Sequence, residues 1–179
     1  MAPIKSMTPQ FTKEEILDLA ALDQELRAIH DPATPLTDDQ RTAILPVLRD
    51  AMKSGRDRLH QYHLAGATGQ FIVQGHTVLT DAILQHIHAL VVAGHDSTES
   101  FCLAATGGYG RRDLAPYSDV DLLFIVPDAH SDQLPLVERM LYILWDVGMD
   151  VGHAVRTVEE CLQQARQELQ ILTSMLESR

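Results

Sequence analysis

LAATGGYGRRDLAPYSDVDLLFIV, residues 103–126, holds two short apolar runs separated by a polar loop. The first run spans Phe101 to Ala105 and the second spans Leu122 to Val126. Apolar runs of this length, bounded by glycine and proline, read as buried strands. Gly107, Gly108, Arg111, Arg112, Ser118, Asp119 and Asp121 lie between or at the mouth of the two strands. Asp119 and Asp121 are two residues apart in an extended segment, so both side chains leave the same face.

Those residue types point to one kind of ligand. Two carboxylates side by side repel each other unless a cation lies between them. Hard divalent cations such as Mg2+ take oxygen ligands, commonly one or two protein carboxylates with substrate phosphates completing the shell. Gly107 and Gly108 carry no side chain to keep a phosphate away from backbone N–H groups. Arg111 and Arg112 can fork onto phosphate oxygens. Ser118 either touches a phosphate or caps the entry to the second strand, and capping is the simpler role. Together they suggest a metal-bound nucleoside triphosphate.

Gly-Gly followed at a fixed distance by Asp-x-Asp entering an apolar strand resembles the nucleotidyltransferase superfamily that includes DNA polymerase beta. The longer string GGYGRRDLAPYSDVDLLF, and the later LYILWDVGMDVGHAVRTVEECL, resemble one branch of it, the uridylyltransferases of the PII nitrogen-signalling protein. The resemblance implies transfer of UMP from UTP to a tyrosine hydroxyl of PII, with release of pyrophosphate and two Mg2+ ions as cofactors. It implies a third carboxylate on the neighbouring strand, for which Asp150 in DVGHAVRT is the expected residue and Asp146 and Glu177 are alternatives. Gly107, Gly108, Arg111, Arg112 and Ser118 become the nucleotide-contacting set. The branch usually reads Arg-Gly-Glu where this chain has Arg111-Arg112-Asp113, which weakens any role for Arg112. Nothing in the residues selects uracil over adenine. Adenylyl transfer to another acceptor, or a non-catalytic truncated core, therefore stays open beside PII uridylylation. Full enzymes of the branch are far longer and add a phosphohydrolase domain of the HD type and paired ACT domains. On that comparison this chain is expected to be the N-terminal piece, without removal activity or glutamine sensing.

Composition narrows the alternatives. The chain has 179 residues, a net charge of -11 and 45% hydrophobic residues, a globular balance. No Lys/Arg-rich block offers the basic footprint that nucleic acid requires. Two cysteines, in separate apolar segments, make neither a disulfide framework nor a zinc pattern. No apolar run approaches the roughly 20 residues of a membrane span. A cytoplasmic protein with no nucleic-acid or membrane partner is expected.

Working outward, residues 1–95 read as an N-terminal helical region and residues 96–179 as the nucleotidyltransferase core. Met1 to Phe11 reads as a loose arm. Capping boxes are expected at Thr12–Glu15, Thr37–Gln40 and Thr157–Glu160. The stripe from Ile16 to Ile29 predicts one helix. Pro46 predicts a kink or a restart in the helix after Thr37. Val137 to Val147 predicts a helix ending at Gly148, and Asp150 to Arg156 a third strand. Val158 to Met175 predicts a single amphipathic helix. The expected fold is α/β (α+β): a small mixed sheet with flanking helices, preceded by N-terminal helices. The nine histidines lack the cysteine or carboxylate neighbours of a zinc site and read as surface or packing residues.

Overall fold

Three strands form one mixed sheet in the order β1-β2-β3, where β1 is Cys102–Ala105, β2 is Val120–Ile125 and β3 is Val151–Arg156. The computed structural model describes residues 13–95, 101–128 and 130–179. The loose arm and the Thr12 end of the first capping box lie outside the described residues. Before the sheet come α1 (Lys13–Ile16), α2 (Leu19–Ile29), α3 (Asp38–Leu64) and α4 (Gly69–Val92). Within and after it come α5 (Gly107–Gly110), α6 (Leu134–Asp146), α7 (Val158–Gln167) and α8 (Leu169–Leu176). This is the helix-rich α/β architecture, with a small mixed sheet, that the sequence predicts.

β1 and β2 run antiparallel, with Ala105 opposite Leu122, and α5 and the loop after it connect them. β2 and β3 run parallel, with α6 as the crossover between them. A parallel pair needs such a crossover, since a tight turn cannot bring a strand back in the same direction. Alternation along β2 sends Val120, Leu122 and Phe124 into the buried core, where Phe124 is 0% exposed. Asp121, Leu123 and Ile125 take the other face. The same core takes in Ile44 and Leu48 of α3, Ile83 and Ile87 of α4, and Met140 and Leu144 of α6. The long helices thus back one face of the sheet and leave the aspartate face to the C-terminal helices.

Thr37 and Gln40 form the expected capping box. The Gln40 N–H donates to Thr37 Oγ1 at 3.3 Å, and the Thr37 N–H donates to Gln40 Oε1 at 3.0 Å. Thr37→Ala is expected to lower stability by ~1 kcal/mol, read as a shift in the urea midpoint without a change in slope. At the head of α7, Glu160 accepts from the Thr157 N–H at 2.8 Å and from its hydroxyl at 3.1 Å. These bonds, the backbone one first, hold the Glu160 carboxyl below its ordinary value of 4.5. A lowered folded pKa means the cap is at full strength above 4.5 and is lost as pH falls through the lowered value. Amide exchange at the start of α7 is expected to quicken relative to the rest of the chain on acidification, and Glu160→Gln to remove that pH dependence.

Four local expectations change. The stripe from Ile16 to Ile29 is two helices, because Asp18 leaves helical geometry to cap α2, accepting from the Ala21 N–H at 3.0 Å. α3 is one helix through Pro46, so it does not restart there, because burial of Ile44, Leu45 and Leu48 around the proline outweighs the missing hydrogen bond. Residues 107–110, expected as loop, wind into the single helical turn α5. The stripe from Val158 to Met175 divides at Glu168, which is extended at φ -128. No glycine or proline marks that break. It lets α8 fold back over the sheet, so that the Arg179 backbone meets β1: the Ala105 N–H donates to the Arg179 carbonyl at 2.9 Å.

Candidate active site

The sheet brings the two aspartates to a stretch of bare backbone at Gly152. Asp121 sits on β2 directly opposite Gly152 of β3. A Cβ at Gly152 would lie 2.7 Å from Asp121 Oδ1 and 3.9 Å from Asp119 Oδ2, so both carboxylates reach the same bare stretch of backbone. On the other side, a Cβ at Gly107 would lie 2.5 Å from Asp121 Oδ2. Gly107 also has φ +59, a left-handed conformation that glycine adopts without a steric penalty. The Asp121 carboxylate therefore lies between two residues that must lack side chains. Burial, and then the charge of Asp119, raise its pKa above the ordinary carboxylate value. This is uncompensated negative charge of the kind a bound cation relieves.

The glycine turn is braced from behind. The Tyr109 hydroxyl donates to Asp81 Oδ1 at 2.5 Å. Arg179 forks onto the same carboxylate at 2.7 and 3.0 Å, and its guanidinium lies 4.8 Å from the centre of the Tyr109 ring. Burial and the adjacent Asp81 push the Tyr109 phenol well above its ordinary pKa, so it stays a neutral donor. A hydrogen-bonded anchor on α4 thus fixes α5, and with it Gly107 and Gly108.

Comparison with known proteins matches a longer span that contains these residues. Residues 53–170 match the family model described as "Putative nucleotidyltransferase DUF294". The chain belongs to this nucleotidyltransferase family. It is 40% identical over 149 residues to the bifunctional uridylyltransferase/uridylyl-removing enzyme of Azospirillum brasilense, covering 79% of this chain and 16% of that protein. Proteins of the same name from Erythrobacter litoralis and Rhodospirillum rubrum are 42% and 39% identical. Those alignments cover 78% and 84% of this chain, and 16% and 17% of the relatives. The chain thus spans about a sixth of the length of these relatives. Among the described residues, no helix is long and apolar enough to cross a membrane.

The remaining residues expected at the site divide by position. Gly108 lies beneath Arg111, whose Nη2 is 3.9 Å from where a Gly108 Cβ would be. Arg111 is engaged, donating to Glu177 Oε2 at 2.6 Å. Arg112 is exposed and holds φ +66 on the way out of α5. The Ser118 hydroxyl donates to the Ala115 carbonyl at 2.8 Å, a local turn-capping bond. Asp150 is exposed in the turn before β3, and its carbonyl accepts from the Val120 N–H at 2.8 Å. Asp150 borders a separate hollow with Arg56, His76 and Tyr117. Among the described residues, no three His, Cys, Asp or Glu side chains gather closely enough to hold a metal ion together. The two alternatives to Asp150 are both in ion pairs, Asp146 with Arg41 at 3.0 Å and Glu177 with Arg111.

Sequence reasoning missed Gly152. Its signal was present, since a glycine inside a strand marks close approach of another group. It also missed the roof of the site. A hollow of about 290 Å³ runs along the aspartate face from Asp121 past Gly152 to Arg156, bordered by Gln170 and Ser174 of α8. No sequence pattern announces that roof, because it depends on the fold-back at Glu168.

Proposed function

We propose that this chain transfers a nucleotidyl group, UMP from UTP, to a tyrosine hydroxyl of the PII signalling protein, with release of pyrophosphate. The observation that carries the reading is the convergence of Asp119 and Asp121 on Gly152, with Gly107 against the same carboxylate. Two neighbouring carboxylates, one with a raised pKa, suit a hard divalent cation such as Mg2+. Asp119 and Asp121 would hold it. Asp150, the residue that the resemblance implies as a third ligand, has no hydrogen bond to its carboxylate among the described residues and is the one that would be tested as a third oxygen ligand. A pair of Mg2+ ions bound there supplies Lewis-acid activation of the attacking hydroxyl and positive charge for the leaving pyrophosphate.

The protein's own groups do the positioning. Backbone N–H groups of the Gly107–Gly108 turn would receive the phosphates, with the turn held in place by the Tyr109–Asp81–Arg179 anchor. Arg111 can exchange Glu177 for a phosphate oxygen at little cost, since a half-exposed ion pair contributes about 0–1 kcal/mol. The acceptor oxygen forms a bond to the α-phosphorus as the bond to the bridging oxygen of pyrophosphate breaks, and the hydroxyl proton passes to solvent. The names of the relatives in Azospirillum brasilense and Rhodospirillum rubrum support uridylyl as the transferred group. One observation favours a non-catalytic reading: the strand position facing Asp121 is Gly152, with no carboxylate side chain.

Incubating the chain with PII protein, Mg2+ and labelled UTP or ATP separates the readings. Label on PII from UTP supports the proposal. Label from ATP alone, or on another acceptor, shifts it to adenylyl or other transfer. Absence of any transfer leaves the non-catalytic core.

A further inference from the structure

The largest hollow described is not the one beside Asp121. It measures about 630 Å³ and lies between α3, α4 and the Pro116–Tyr117 loop. That volume falls in the range of small-molecule sites. Its floor is apolar, from Leu59 and Ile72. Its polar lining is Arg56, Asp57, His60 and His63 of α3, His76 of α4 and Tyr117 of the loop.

This lining is unusual for so acidic a chain, whose net charge is -11. One guanidinium and three imidazoles share the lining with the Asp57 carboxylate, and Asp150 borders the adjoining hollow that Arg56, His76 and Tyr117 also line. Arg56 has neither an ion pair nor a hydrogen bond among the described residues, so its guanidinium donors are open to a ligand. Burial, and then the Arg56 charge, lower the His76 pKa, so Arg56 already acts electrostatically on the imidazole beside it. Positive charge and unspent donors gathered over an apolar floor are complementary to an oxyanion. A metal does not suit the set, as no three potential ligands gather closely enough among the described residues. Tyr117 stands at the rim with φ +65, fully exposed. A bulky residue in that conformation is strained, and such strain concentrates where ligands are clamped.

We propose that this hollow is a second binding site, taking a small phosphate- or carboxylate-bearing metabolite whose oxyanion is held by Arg56, His60, His63 and His76. The site stands whatever reaction the aspartates support. Its bound ligand would touch the loop that leads into Asp119, two residues beyond Tyr117.

The test is an NMR titration of the histidine imidazoles in the full chain carrying Asp121→Asn, with EDTA present. That background removes the metal site from the readout. Pyrophosphate and succinate are added in separate arms. Saturable shifts of His60, His63 and His76 are expected in at least one arm, with a Kd of about 1 mM or tighter. The His76 pKa should rise when the site fills, because an anion offsets Arg56. Arg56→Ala should weaken binding about tenfold or more, and His60→Ala should weaken it less. Response to pyrophosphate alone identifies a phosphate ligand, and response to succinate alone a carboxylate. Absence of saturable shifts in both arms, or shifts that Arg56→Ala leaves unchanged, would overturn the proposal.

Discussion

Asp121→Asn is expected to abolish nucleotidyl transfer while leaving the fold no less stable than the parent chain. The substitution removes one of two carboxylates that face Gly152 and halves the charge available to a divalent cation. Loss of metal-assisted charge stabilisation costs several kcal/mol in the transition state, roughly a 10³-fold loss of rate. Stability should move the other way. Burial and Asp119 raise the folded pKa of Asp121, so the favourable contribution is complete below the ordinary value of 3.8 and is lost as pH rises through the folded value. At neutral pH the ionised carboxylate therefore weighs against folding, and asparagine relieves that load. Thermal melts without metal should show Asp121→Asn at or above the parent. Melts with saturating Mn2+ should favour the parent, by about 2.7 kcal/mol at a hundredfold excess over Kd. Retained transfer, or a variant that melts well below the parent in EDTA, would contradict the proposed role of the site.

Gly152→Ala should separate geometry from charge. No carboxylate is lost, but the new methyl would lie 2.7 Å from Asp121 Oδ1, and the carboxylate must move. A displacement of about 1 Å in a reacting group can cost 10²-fold in rate, and a loss of that order is expected, with weaker Mn2+ binding. Gly152 lies in a strand with no positive φ, so alanine fits its backbone and also restricts the unfolded chain. Global stability should stay within about 1 kcal/mol of the parent. Gly107→Ala provides the contrast. There the methyl would meet Asp121 Oδ2 at 2.5 Å and the backbone holds φ +59, so activity and about 1–2 kcal/mol of stability should be lost together. Equal destabilisation by the two alanines would show that the glycines serve the fold alone.

What could be read from the residues followed the range of the physics involved. β1, β2 and the Asp119–Asp121 pair were legible because strand alternation and a glycine turn are local. So were the capping boxes at Thr37 and Thr157, which involve only neighbours along the chain. The break at Glu168 was not legible: it goes with the pairing of Arg179 with Ala105, a contact distant in sequence. The same holds for Asp81, an unremarkable helical residue until Tyr109 and Arg179 close on it. Gly152 lay within reach, as a glycine inside the expected third strand from Asp150 to Arg156. The register of β2 against β3 puts the glycine, not the acid, opposite Asp121.

That register carries a kinetic consequence. The glycine turn and both aspartates belong to one hairpin, β1–β2, and can find each other early. β3 arrives only after α6 has formed and packed, a non-local step that topology makes slow. A refolding chain would thus hold its acidic pair before the bare backbone of Gly152 arrives beside it, so the proposed cation site would be completed last.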